Sequence, residues 1–312
     1  MQFRTKITIP KSDNPIDYNS KIVSLGSCFA ENMAEKLGYF KFQNTCNPFG
    51  IIFNPVSIEK IINKAISQEL FTEEDILFHN ERWHSFDVHS DWSNSNKEEL
   101  IANLNAILKS THQQISEATH IIITYGTSWV YRNIESKLIV ANCHKVPQKQ
   151  FSKEILSIET IENSIKNTIS LIQKVNPKAK IIFTVSPVRH LKDGFVENQQ
   201  SKAHLIAAIH QILQSAAYFP SYEIMMDELR DYRFYAEDMI HPNQVAIDFI
   251  WERFLETTIS EESHSIIKEV ETIQKGLQHR PFNPNSESHQ QFLSKLQDKI
   301  TKLVSQYSFM KF

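Results

Sequence analysis

Short apolar runs at residues 22–25, 120–125, 180–185 and 222–226 punctuate the chain, separated by stretches of helical spacing. Each run is apolar at consecutive positions rather than alternate ones, which is the pattern of a strand covered on both faces. Helical spacing follows the first run at Phe29, Met33, Ala34 and Leu37, with Gly38 placed as a C-terminal cap. It recurs at 56–68, 98–115, 158–174 (ended by Pro177), 200–216 and from Pro242 to about 257. Strands alternating with helices require a parallel sheet with helices on both sides. The expected fold is therefore α/β, a three-layer α/β/α sandwich around a central parallel sheet. Residues 130–133 and 137–140 read as a hairpin over 134–136, and residues 1–20 as an extended arm broken by Pro10 and Pro15. Beyond 258 the chain turns polar and charge-mixed, which divides it into an α/β domain at 1–258 and a C-terminal helical extension at 259–312.

In such sheets ligands sit beyond the carboxyl ends of the strands. The first run ends in Gly26-Ser27, the second in Gly126-Thr127-Ser128, the third in Arg189-His190, and Asp238 and His241 precede the last long helix. A serine between a strand and a helix stands at the functional edge, with its N–H at a helix N-terminus facing any negative charge that develops there. The same placement suits a plain N-cap. Asp238-Met239-Ile240-His241 puts a carboxylate three residues before an imidazole, so the aspartate can fix the tautomer of a histidine that activates a hydroxyl.

Composition removes several alternatives. The chain has 6 glycines and neither GxGxxG nor GxxxxGK[ST], so no glycine-rich phosphate loop is expected. A net charge of −3 without a long basic run argues against nucleic acid as a partner. No run approaches a membrane span, and the first six residues lack the apolar core of a signal peptide. Cys28, Cys46 and Cys143 form neither a disulfide framework nor a metal-binding spacing, which fits a reducing, cytoplasmic setting. Asp87, His89 and Asp91 alternate and would share one face of a strand. A metal there lacks further ligands at a recognisable spacing, so no metal and no cofactor is expected, and a solvated or substrate-facing surface is the better reading.

The order of these motifs resembles the SGNH or GDSL hydrolase superfamily. Gly26-Ser27-Cys28-Phe29-Ala30 is similar to the five residues for which the GSCFA family is named. The resemblance extends through Asn47-Pro48-Phe49-Gly50-Ile51, Gly126-Thr127-Ser128-Trp129, Ala141-Asn142-Cys143-His144-Lys145 and Ser186-Pro187-Val188-Arg189-His190. It implies a flavodoxin-like sheet, with Ser27 as nucleophile, His241 as base and Asp238 as its orienter. It also implies oxyanion donors at the Ser27 and Gly50 N–H groups. The superfamily's third donor is an asparagine where this chain has Ser128; the Ser128 hydroxyl or the Asn142 side chain would replace it. Asn47, Gly126, Thr127, His89, His144, Arg189 and His190 fall to the substrate side, Arg189 as a clamp for a carboxylate or phosphate or else as one half of a structural salt bridge. His84 is a further polar candidate. Cys28 offers a rival nucleophile, one that as a first helical residue points away from the edge. The activity implied is deacylation, above all deacetylation, of a carbohydrate-like or other small ester. Acyl transfer through the same acyl-enzyme and ligand binding on a hydrolase scaffold are the alternatives.

Overall fold

The computed structural model describes residues 5–213 and 215–312. Residues 1–4 of the expected arm, and Gln214 within the stretch expected as a helix, lie outside the described residues.

The chain enters the sheet at β1 (Lys21–Gly26), crosses through α1 (Cys28–Tyr39) and pairs in parallel with β2 (Gln43–Cys46). The helix ends one residue beyond Gly38. Lys41 at φ 63 supplies the left-handed cap, with Phe42 N–H bonded to Leu37 C=O and Lys41 N–H to Gly38 C=O. Next come α2 (Pro55–Ser67), a two-stranded ribbon of β3 (Leu77–His79) and β4 (Arg82–His84), α3 (Lys97–Glu117) and β5 (His120–Tyr125). A three-stranded antiparallel flap follows, β6 (Trp129–Asn133), β7 (Ile139–Val140) and β8 (Phe151–Ile155). It contains the expected hairpin and adds a strand the sequence did not announce. Then come α4 (Ile158–Val175), β9 (Lys180–Val185), α5 (Phe195–His210) and β10 (Ala217–Phe219).

The central sheet runs β10-β9-β5-β1-β2 with every neighbour parallel. Numbered by order of appearance this is 2-1-3-4-5, the flavodoxin-like order, with its topological switch between β1 and β5. Successive residues of each strand face opposite layers. Ile121, Ile123 and Phe183 pack with Ile58, Leu104, Ile165 and Leu205 of α2 to α5. Ile22, Ile122 and Ile182 pack with Phe29 of α1 and Ile250 and Phe254 of α7 (Gln244–Thr258). That second core continues into α8 (Ser263–Gln278) and α9 (Glu287–Gln306) through Ile267, Val270, Ile273, Leu296 and Leu303.

Two expected elements differ. The run at 222–226 is not a strand: the edge strand is β10, and the run winds as a helical turn α6 (Ser221–Glu223) continued by a π-helix over Ile224–Glu228. Pro220, with no N–H for a ladder, closes the strand before it, and a five-residue apolar run does not by itself separate strand from buried helix. The helix expected at 200–216 begins earlier, after Gly194, and ends at His210. The arm is tied down: Ile7 N–H donates to buried Glu228 at 2.9 Å, Arg253 donates to Ile7 C=O, and Ile16 bridges Ile259. Among the described residues no helix is long and apolar enough to cross a membrane.

Candidate active site at the carboxyl edge of the sheet

Gly26 makes the turn out of β1 at φ +137, and a Cβ there would lie 2.1 Å from Thr124 C=O. Only glycine lets β1 stay paired with β5 while the chain turns so sharply. Ser27 then sits at the N-cap of α1, its Oγ accepting from Phe29 N–H at 3.3 Å. The cap uses a lone pair and leaves the hydroxyl proton available, so capping and nucleophilic readings of Ser27 are compatible. Asn47 positions this turn: its Oδ1 accepts from Gly26 N–H at 2.8 Å and its Nδ2 donates to Glu31 at 3.3 Å.

Asp238 and His241 meet in a tight turn. Asp238 Oδ2 lies 2.6 Å from His241 Nδ1, and Oδ1 accepts the N–H groups of Ile240 and His241 at 2.9 and 3.0 Å. The His241 N–H, the imidazole and the Ile240 N–H together hold the Asp238 carboxyl down at about 2. Met239 at φ 58 forms the bend, Tyr235 pairs with Pro242 and Ala236 N–H donates to His241 C=O. Pro242 therefore belongs to the turn; Asn243 caps α7. The imidazole and carboxylate are nearly half exposed, at 47 % and 45 %, whereas Ser27 is 2 % exposed. Among the described residues Ser27 Oγ bonds to Phe29 N–H and not to His241.

The expected oxyanion donors are mostly engaged elsewhere. Ser27 N–H donates to Thr124 C=O at 3.1 Å, extending the pairing of β1 with β5, and Gly50 N–H donates to Asn47 C=O at 2.7 Å, closing its own turn. Ser128 is fully buried and faces α5: its N–H donates to Ser201 Oγ at 2.7 Å and its hydroxyl to Ser201 C=O at 3.2 Å. Thr127 Oγ1 also meets Ser201 Oγ, at 2.8 Å. Asn142 accepts from His144 N–H at 2.8 Å. The N-terminus of α1 also lies at this edge, where Phe29 N–H donates to Ser27 Oγ and the Cys28 thiol lies against the Cys28 and Phe29 amides.

The histidines separate into packing and site groups. His144 is buried, holds Ser85 C=O at 2.6 Å, lies 4.7 Å from the His84 ring and is pushed down to about 4 by burial. His84 bonds Ser93 Oγ at 2.6 Å. Both pin the flap. His89 packs on Gly50, where a Cβ would fall 2.3 Å from its own, and its Nδ1 lies 3.0 Å from Asp91. The alternating Asp87-His89-Asp91 face does not form: β4 ends at His84, Asp87 pairs with Lys60, and His89 caps a 3-10 turn. Among the described residues no three His, Cys, Asp or Glu side chains converge as metal ligands. His190 belongs to the site. Its ring packs 5.7 Å from Phe53 beside Gly126, and burial, then Lys202 and His241, push it down to about 3. Among the described residues Arg189 makes no ion pair; its guanidinium stacks on Tyr235 at 3.9 Å, and its backbone N–H donates to Ile240 C=O.

Lys202 is the site residue the sequence concealed. It is 1 % exposed, and its Nζ donates to Gly126 C=O at 2.6 Å and Ser186 C=O at 2.7 Å, joining the ends of β5 and β9. Burial pushes it down to about 7, against a smaller upward pull from Cys28. A charged residue in a helical pattern ordinarily reads as solvated; the signal was that Lys202 shares its face with Leu205 and Ile209. The Cys28 thiol is pushed up by burial and by Glu31, which opposes thiolate formation.

Compared with known proteins, residues 21–254 match the GSCFA family, and residues 270–312 match the C-terminal domain of GSCFA domain proteins. No curated protein matches the chain.

Proposed function

This chain belongs to the GSCFA family, and we propose that it is a serine esterase that removes a small acyl group, such as acetyl, from a carbohydrate-like or other small ester. The observation carrying this reading is the 2.6 Å bond from Asp238 to His241 Nδ1, on a loop at the same sheet edge as Ser27. In the proposed reaction Ser27 Oγ attacks the acyl carbon while His241 Nε2 takes its proton, and Asp238 stabilises the imidazolium. As Oγ leaves the cap it releases Phe29 N–H, which with Cys28 N–H faces the oxyanion at the N-terminus of α1. His241 then protonates the departing alcohol, and a water activated by the same imidazole hydrolyses the acyl-enzyme. The three free cysteines support a reducing, cytoplasmic setting as part of the proposal.

The test is kcat/KM on p-nitrophenyl acetate for Ser27→Ala, His241→Ala, the double variant and Cys28→Ala, with melts to establish folding. Groups acting as a unit lose about as much singly as together, so the first three variants should fall alike while Cys28→Ala keeps most activity. A folded Ser27→Ala protein at the parental rate would refute the serine mechanism. A second reading, ligand binding without turnover, draws support from the 2 % exposure of Ser27 and the engagement of its N–H. Absence of labelling by a fluorophosphonate across pH 6–9 would favour it. Acylated product formed on adding sugar acceptors would mark acyl transfer instead.

A further inference from the structure

Beside the Asp238–His241 turn, between the start of α5 and residues 230–235, lies a cleft of about 190 Å³ lined in part by Arg189, Arg230, Tyr232 and Tyr235. We propose that this cleft is an oxyanion subsite, binding a phosphate or carboxylate carried by the non-reacting part of the substrate.

Two cations line a small space in a chain whose net charge is −3. Among the described residues neither arginine has a carboxylate partner. Arg189 is held by faces instead: its guanidinium stacks 3.9 Å from the Tyr235 ring and 5.0 Å from the Tyr232 ring. Stacking fixes the plane of a guanidinium and leaves its edge free to donate. Its Nε is buried with no acceptor, and the partners its guanidinium does reach are tyrosine hydroxyls, Tyr232 at 3.5 Å from Nη1 and Tyr235. The one carboxylate lining the cleft, Asp231, has both oxygens occupied, by Arg233 N–H at 2.9 Å and the Arg233 guanidinium at 3.0 Å. An incoming oxyanion therefore meets two arginines without a carboxylate partner among the described residues, the arrangement suited to forked recognition of carboxylate and phosphate.

The cleft is also coupled to the turn. Arg189 N–H donates to Ile240 C=O at 3.2 Å, and Tyr235 pairs with Pro242, so cleft residues bond on either side of His241. As a statement about substrate this rests on the esterase reading; as a binding site it does not. The volume suits an anionic group on a short carbon skeleton rather than a long glycan.

Titration calorimetry on the full chain tests it with phenyl phosphate and sodium benzoate, with phenol as the neutral control, against wild type, Ser27→Ala, Arg230→Gln and Arg189→Gln. At least one anion should bind wild type and Ser27→Ala alike, phenol should not, and each arginine variant should weaken binding about tenfold or more. The anion that binds assigns the site to phosphate or to carboxylate. Arg230 is exposed, so Arg230→Gln keeps the test valid if loss of the stacked Arg189 unfolds the protein. Absence of anion binding to wild type, or affinity unchanged in Arg230→Gln, overturns the proposal. Anion binding by a protein without esterase activity refutes only the esterase reading; turnover of neutral esters without anion binding refutes only the subsite.

Discussion

Replacing Lys202 by methionine should remove a pH dependence from the stability of the whole fold. The Lys202 ammonium is buried between the Gly126 and Ser186 carbonyls and its pKa is lowered to about 7, whereas an unfolded lysine titrates near ~10.4. Between those values the unfolded chain binds the extra proton, so stability rises with pH. The contribution is complete above the unfolded value, declines as pH falls through the window, and is gone below about 7. The limiting slope is about 1.4 kcal/mol per pH unit, so between pH 6.5 and pH 9 wild type should gain on the order of 2 kcal/mol. Lys202→Met lacks that term and leaves two buried carbonyls without their donor, at about 1–3 kcal/mol each. Near pH 6.5 the released desolvation penalty offsets much of this loss, and by pH 9 it no longer does. Urea denaturation of both proteins at half-unit steps measures the difference, in which the other titrating groups largely cancel. A wild-type-minus-variant difference that is flat within 0.5 kcal/mol, taken as about a quarter of the expected change, would refute the argument.

Gly26→Ala should destabilise by roughly 3 kcal/mol or more in the same assay, because its Cβ would overlap Thr124 C=O and φ +137 is closed to alanine. A loss below 1 kcal/mol, about that of an ordinary point substitution, would show that the β1 turn relaxes freely. Asp238→Asn should fold normally and lose activity on the order of 10⁴ through a misoriented imidazole. With the Asp238 carboxyl held down at about 2, the wild-type pH–rate profile should show no carboxylate step between pH 3.5 and 5, and such a step assigned to Asp238 by its loss in Asp238→Asn would contradict the turn geometry.

What could be read from sequence follows from where the physical signal is local. β1, β5 and β9 were legible because both faces are buried and the runs are apolar throughout. β2 was not: Gln43-Asn44-Thr45-Cys46 is a half-buried edge strand defined by its backbone pairing with β1. The run at 222–226 carries the hydrophobicity of a strand, but Ile224 and Met225 spend it covering the sheet as a π-helix. Asp238 and His241 were legible because the contact spans three residues. Lys202 was not, since its acceptors come from strand ends 76 and 16 residues away. The roles expected for Ser128 and Thr127 depended on which way a strand end faces, and that is set by Ser201 of α5.

The proposed chemistry places one demand on charge that the neighbours of His241 meet. When the imidazole takes the Ser27 proton it becomes a cation, so any adjacent group already positive would raise the barrier. One such risk is His190, which interacts electrostatically with His241. Burial holds His190 at about 3, with Lys202 adding to the effect, so it stays neutral at any pH where a serine esterase operates. Asp238, held at about 2, remains the countercharge throughout. Asp238 thus supplies the negative charge where the cation forms, and the buried His190 ring adds no positive charge beside it, without touching the reacting atoms. The same reasoning gives Lys202 a second effect: its charge below about pH 7 deepens the suppression of His190. An imidazole shift of His190 followed by NMR should therefore move toward the ordinary histidine range in Lys202→Met. If it stayed unmoved while the protein remained folded, burial alone would account for the neutral ring.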